Sequence, residues 1–373
     1  MGGVERVLLG CAAGVQGRGY FPVIACPDGG ALAVAVQEAE LAYQPIAIDR
    51  TKATLSPARL LRQLGAWRRG SDEVLQIARR LRPGVIHVHH PVGGLYAMAA
   101  ARELGIPLLL HVHEVLPLRP LYYAAARRVV PFCSAIVCVS EASAVLMRRI
   151  GVPHGRLQII YNAVNPGFLE AVAPAEELSA TRPNIGLFGV IEPRKGQAHF
   201  IRAAALLRER FPTAHFWIVG GLSFAEHAGY ERQLREAAAA AGLQDRVHFT
   251  GHRSDVARWM AGMDVVTMAS TRFESLPTAV IEAAVLGRPI VATDVGGVRE
   301  ILQHGETGLI VPPAAPVQMA DAIARLLSPE GRDFGRRARA DARRRFAPAR
   351  FIEEMVAVYE ALSRQPAELE CAA

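Results

Sequence analysis

The sequence predicts an α/β protein built from two facing, doubly wound parallel-sheet domains of the Rossmann-like kind. Three observations carry this. Short apolar runs alternate with helix-length amphipathic stretches along the whole chain, the pattern of parallel strands joined by crossover helices. The alternation falters once, across the Pro-, Ala- and Glu-rich stretch at 165–183, and then restarts. The length, 373 residues, exceeds what one core ordinarily spans.

In the first half the expected strands are 21–26, 42–48, 85–89, 107–111, 135–139 and 158–161, short apolar runs bounded by turn residues. Helical spacing of apolar residues places helices near 4–15, 31–40, 56–82, 93–105, 120–130 and 141–150. After the softer stretch come strand 184–189, helix 197–210, strand 215–220, helix 226–241 and strand 246–251. A short helix starts near Ser254, and strands 265–269, 289–293 and 309–311 complete the second sheet, with a helix opening at Pro277 between the first two of them. An arginine-rich helix covers 331–346. The closing "PARFIEEMVAVYEALSRQ" sets Phe351, Met355, Val358 and Leu362 at helical spacing, an apolar stripe that needs a surface to cover. The expected domains are 1–166 and 184–346. Residues 167–183 are the linker, and a closing helix at 347–366 packs back on the first domain.

Composition narrows the function classes. The chain is 51% apolar and 21% charged, and no apolar run reaches the ~18 residues of a membrane span. The five cysteines (11, 26, 133, 138 and 371) form no Cys-x-x-Cys, which argues against structural zinc and fits a reducing, cytoplasmic setting. The net charge of +7 points to an anionic partner: a nucleotide, a phosphate or an acidic membrane. No nucleic-acid motif accompanies it.

The segment "MASTRFESLPTAVIEAAVLGRPIVATDVGGVREIL", 268–302, carries the most chemistry. A strand ends, a polar loop follows, and Pro277 opens a helix that Ser275 can cap. The backbone N–H groups around Ser275, Leu276, Pro277 and Thr278 then form a helix N-terminus suited to an anion. Glu274 is expected at the loop tip, facing sugar hydroxyls, and Glu282 within the helix, able to accept from two adjacent ribose hydroxyls. Gly296 and Gly297 sit on a facing loop. Two histidine groups lie at strand ends, "HVHHP" (His87, His89, His90) and "PLLLHVHE" (His111, His113). His111 and His113 alternate, which is expected to place one on each face of the strand. No carboxylate or cysteine stands at ligand spacing from the first group, so no metal site is expected. The chain also lacks an Asp-x-Asp pair.

In this context Glu274, seven residues and Glu282 resemble the Glu-x7-Glu motif of the family 4 (group 1) retaining glycosyltransferases. So do "IGLFGVIEPRKGQ", "RVHFTGHRSDV", "VSEASAVLMRRIGVPHGRLQIIYNAVN" and the opening "GGVERVLLG". The resemblance spans essentially the whole chain and implies the GT-B architecture. It further implies transfer of a hexose from a nucleotide-diphosphate sugar, with retained anomeric configuration and no cofactor or metal. Residue by residue, it implies that Lys195 binds the diphosphate and that Gly251, His252 and Arg253 line the nucleobase. It likewise implies that Glu274 lies near the donor sugar, that Glu282 holds the ribose and that His113, with His111 the alternative, touches the sugar. Many relatives carry a Gly-Arg pair where this chain has Gly189-Val190, and Arg194 is expected to substitute.

In relatives a first strand runs into a Gly-Gly loop that meets donor phosphates or acceptor. Here Gly2 and Gly3 match that loop while the strand is missing, so the coding start is expected upstream. Residues 50–82 hold nine Lys/Arg against Asp72 and Glu73. With "PLRPLYYAAARRVVPF", they suit an anionic membrane surface. The acceptor is then a glycan or a lipid-linked sugar in cell-envelope polysaccharide or glycolipid synthesis, met at the inner face of the membrane. Two other readings stand: a sugar-nucleotide epimerase on the same architecture, and a catalytically impaired sugar-nucleotide-binding protein. The oligomeric state is not legible.

Overall fold

The computed structural model describes residues 2–48, 57–114, 120–178, 181–222 and 228–364. The chain forms two compact units. One takes the chain as far as Ala163 and again from Pro348, the other is Val164–Ala347.

The first unit opens with α1 (Gly3–Gln16), β1 (Val23–Cys26), α2 (Ala31–Glu38), β2 (Ala42–Pro45) and the long α3 (Pro57–Leu81). Then follow β3 (Ile86–Val88), α4 (Pro91–Leu104), β4 (Leu108–Val112), α5 (Pro120–Val129), β5 (Ala135–Cys138), α6 (Glu141–Arg149) and β6 (Leu157–Ile159). Local chemistry sets the boundaries. Pro91 opens α4, where the His90 ring accepts from Val92 N–H at 3.0 Å. Ser140 caps α6 by accepting from Ser143 N–H. β4 and β5 are buried on both faces, which is why they read as apolar runs, broken in β4 only by His111.

All strands of this unit pair in parallel but fall into two sheets, β1-β2 and β3-β4-β5-β6. Among the described residues no strand joins β1 or β2 to β3.

The second unit is one six-stranded parallel sheet. In chain order it comprises β7 (Asn184–Phe188), α7 (Gln197–Leu207), β8 (His215–Val219), α8 (Ala228–Ala240), β9 (Val247–Gly251) and α9 (Val256–Ala261). It continues with β10 (Val265–Met268), α10 (Thr278–Val285), β11 (Ile290–Thr293), α11 (Val298–Ile301), β12 (Leu309–Val311), α12 (Pro316–Leu326) and α13 (Pro329–Arg345). Strand order is β12-β11-β10-β7-β8-β9. The winding direction therefore reverses between β7 and β10, and loops there leave a crevice at the carboxyl ends of the strands. Phe200 of α7 is fully buried against Phe216 of β8, with ring centroids 6.0 Å apart. Phe200→Ala is expected to cost about 3–4 kcal/mol of stability, measured by denaturant unfolding.

The stretch 167–183, expected as a linker, is packed within this second unit: Phe168 and Ala175 are buried, and Ala175 N–H donates to Arg258 O. Residues 179–180 lie outside the described residues. The closing helix α14 (Pro348–Arg364) returns to the first unit. Its buried Phe351, Met355, Val358 and Leu362 cover Cys11 and Val15 of α1 and Leu109 and Val137 of the sheet.

No helix among the described residues is long and apolar enough to cross a membrane. Of the basic stretches expected at a membrane surface, residues 50–56 and 117–119 lie outside the described residues. Trp67 is turned inward, its Nε1–H donating to Leu95 O of α4 at 3.2 Å.

Candidate functional site

Lys195 and Glu274 come from the two strands flanking the reversal point. β7 runs into a short 3-10 turn, Pro193–Lys195, and Gly196 joins it to α7 in the left-handed conformation, φ 74°. A Cβ on Gly196 would stand 1.9 Å from Ala269 O. Only glycine lets the lysine loop lie this close to the end of β10. Thr271 N–H then donates to Arg194 O at 2.8 Å, stitching the two loops together.

The result is a tight polar cluster. Glu274 Oε1 accepts from Lys195 Nζ at 2.6 Å, from Ser270 Oγ at 2.6 Å and from Arg194 Nη1 at 3.3 Å. Arg194 Nε also lies 2.7 Å from Glu192 Oε1. Glu274 is only 7% exposed, so the loop tip is Arg272 and Phe273, not the glutamate expected there. Its buried carboxylate is compensated by a cation and two further donors, as a buried charge requires. Ser270 and Glu192 were not singled out from sequence; neither belongs to a pattern that periodicity or spacing reveals.

A second glycine contact fixes the Glu274 backbone. Gly297 N–H donates to Glu274 O at 3.1 Å, and a Cβ on Gly296 would fall 1.5 Å from that same oxygen. Gly296 and Gly297, the facing loop of the sequence reading, are the surface on which the catalytic candidate rests.

α10 follows at once. It starts at Thr278 with Pro277 in the cap position and no side-chain cap. The residue at the cap position is Pro277, and Ser275, expected there, lies two places before it. The proline is one place further out than expected because its ψ of 107° is extended, not helical. Leu276 and Pro277 are buried, Ser275 and Thr278 half-buried. Glu282, half-buried, lies one turn on from Thr278 along the same face. The first-turn N–H groups of a helix have no intrahelical acceptor and carry a partial positive charge. Together with Lys195 they offer a place for a polyanion.

Gly251 ends β9 and His252 and Arg253 follow it, at the same sheet edge but two strands from β7. Arg253 is committed to Asp255 through two hydrogen bonds of 2.8 and 2.9 Å and lies over the Trp259 ring. Val190 stands partly exposed, its carbonyl held by Gln197 Nε2 at 2.8 Å.

Gly2, Gly3 and His113 belong to the other unit. Gly2 N–H donates to Glu5 Oε2 at 2.6 Å as the cap of α1, and both glycines are exposed. His111 and His113 do not point to opposite faces. Residues i and i+2 of a strand share a face, and their ring centroids are 4.0 Å apart. β3 pairs in parallel with β4, Ile86↔Leu108 to Val88↔Leu110, so His87 and His89 stack on the same face. Burial pushes the His89 imidazole down to about 4. Burial and then the neighbouring rings hold His87, His111 and His113 well below the usual histidine range. All four are neutral at pH 7. Strand pairing, which a single sequence does not print, makes this cluster.

The profile described as Glycosyl transferases group 1 matches residues 182–329, and that described as Glycosyltransferase Family 4 matches residues 1–168. The alpha-D-kanosaminyltransferase of Streptomyces kanamyceticus is 30% identical over 300 residues, 72% of this chain and 76% of that protein. The lipopolysaccharide core biosynthesis mannosyltransferase LpsB of Rhizobium meliloti is 33% identical over 193 residues, 50% of this chain and 54% of its own. Among solved structures, Anabaena Alr3699/HepE in complex with UDP superposes with a TM-score of 0.82 at 22% identity, covering 96% of each chain.

Proposed function

The chain belongs to the group 1, family 4 glycosyltransferases, and from that premise we propose that it moves a hexose from a nucleoside-diphosphate sugar to a glycan or lipid-linked acceptor with retention of configuration. The reading extends to cell-envelope polysaccharide or glycolipid synthesis at the inner face of the membrane. The second domain takes the donor and the first the acceptor, and His113 touches the sugar. Gly2 and Gly3 are assigned to the phosphates or the acceptor.

The observation that carries the proposal is the Lys195–Glu274 contact at the reversal point, four residues ahead of the α10 N-terminus. A departing diphosphate needs a cation and aligned amide dipoles, and Lys195 and the α10 N-terminus offer both. In the proposed step the bond from the anomeric carbon to the diphosphate oxygen breaks, and the bond to the acceptor oxygen forms on the same face. The acceptor proton passes to the leaving phosphate oxygen. Lys195 neutralises charge on that oxygen, and Glu274, anchored by Ser270, holds the lysine and orients the sugar. Glu282 holds the ribose, and Arg194 stands in for the arginine that Val190 replaces.

Glu274→Gln keeps the shape and removes the charge. It is expected to lower kcat at least tenfold while the Kd for a nucleoside diphosphate stays within about threefold. UDP-glucose is the first donor to assay, with vesicle-borne and soluble acceptors compared. Unchanged turnover would remove Glu274 from the reaction.

A further inference from the structure

Of the four histidines around β3 and β4 only His113 has a part in that chemistry, and the other three form a group of metal-ligating side chains among the described residues. One ring nitrogen from each of His87, His89 and His111 lies within 4.8 Å of the others. His111 is 0% exposed, and neither of its ring nitrogens has a hydrogen-bond partner. His87 Nε2 is likewise shielded and unpartnered, while its Nδ1 lies 2.8 Å from the Tyr359 hydroxyl of α14. His89 Nδ1 lies 2.9 Å from His113 Nε2. A buried polar atom with no partner is costly, and an ion or a water completing the site accounts for it.

We propose that His87, His89 and His111 bind one divalent transition-metal ion, of which zinc is the type, across strands β3 and β4. Three imidazoles with no carboxylate suit zinc, cobalt or nickel and exclude calcium and magnesium, which require oxygen ligands. Zn–N bonds of about 2.0–2.1 Å in a tetrahedron put the nitrogens about 3.3 Å apart, so the rings close by no more than about 1.5 Å. Tyr359 is the outer partner that fixes the His87 ring, with Nδ1–H donating to its hydroxyl and Nε2 left for the ion. Cys11 Sγ lies 3.6 Å from the Tyr359 hydroxyl and is not one of the three grouped ligands. Water completes the coordination. The ion ties α14 and two strands together, and the proposal does not rest on the diphosphate reading.

The test is metal uptake by the whole chain, stripped with chelator and dialysed. Zinc is expected to bind at about one equivalent per chain and to raise the unfolding midpoint, and cobalt to give visible d–d absorption. His111→Ala and His87→Ala are expected to lose the tight equivalent. Tyr359→Phe keeps the ring and is expected to weaken zinc binding about 10- to 100-fold. His248→Ala, which breaks the other close histidine pair, with His215 at 2.7 Å, is expected to change nothing. Absence of uptake by the unaltered chain, or uptake that survives in the Tyr359 variant at full affinity, overturns the site. Loss of uptake in the His248 variant overturns it too, by placing the ion elsewhere.

Discussion

Lys195→Ala is expected to lower kcat/KM for sugar transfer by about two to three orders of magnitude, the usual effect of deleting one preorganised partner of a developing oxyanion. Three features predict so large a loss. The ammonium is mostly shielded, 19% exposed at its side chain, so its interaction with a phosphate is weakly screened. Its loop is pinned by Gly196 against Ala269, so no rearrangement brings another cation to the same point. Arg194, the nearest alternative, already spans Glu192 and Glu274. Steady-state kinetics with UDP-glucose, set beside nucleoside-diphosphate binding by calorimetry, give the measurement. The greater part of the loss is expected in kcat, because charge builds on the phosphate only as the glycosidic bond breaks. Lys195→Arg keeps the charge but not the reach, and is expected to recover only part of the rate. A loss confined to KM would make Lys195 a binding residue with no special role in the transition state.

The alternation of short apolar runs with helix-length stretches located the twelve described strands to within a few residues, most clearly β5, β7, β10, β11 and β12, which are buried throughout. Helix α12 was not assigned: its Met319, Ile323 and Leu326 were hidden among alanines between two prolines. At the site, Glu274 and Lys195 were legible through motif and resemblance. What made them a cluster was not, since Ser270 and Gly196 act through backbone and hydroxyl contacts that leave no periodic trace. The histidines show the limit most clearly. Treating His111 and His113 as opposite-facing misread a spacing of two, and only the β3–β4 pairing reveals that His87 and His89 join them.

Gly296→Val is expected to do more damage to the fold than any single core truncation, costing above about 4 kcal/mol and abolishing transfer. The reason is covalent geometry. Gly296 has φ 54°, a conformation that β-branched residues rarely adopt. Even a methyl there would stand 1.5 Å from Glu274 O, a bonding distance, and the obstacle is backbone, not a side chain that can swing away. Relief requires the Gly296 loop to retreat. Retreat breaks the Gly297 N–H bond to the same oxygen and pulls Gly297 from Ser275, to whose carbonyl its own Cβ position is 2.1 Å. The Glu274 carboxylate then loses register with Lys195 and Ser270, and the α10 N-terminus moves with it. Stability and activity therefore fall together in this variant, whereas in Lys195→Ala activity falls with the fold intact. Chemical denaturation, circular dichroism and a transfer assay on the two variants side by side separate these outcomes. A folded, active Gly296→Val protein would mean that the glycine loop does not support Glu274, and that the carboxylate is held from the Lys195 side alone.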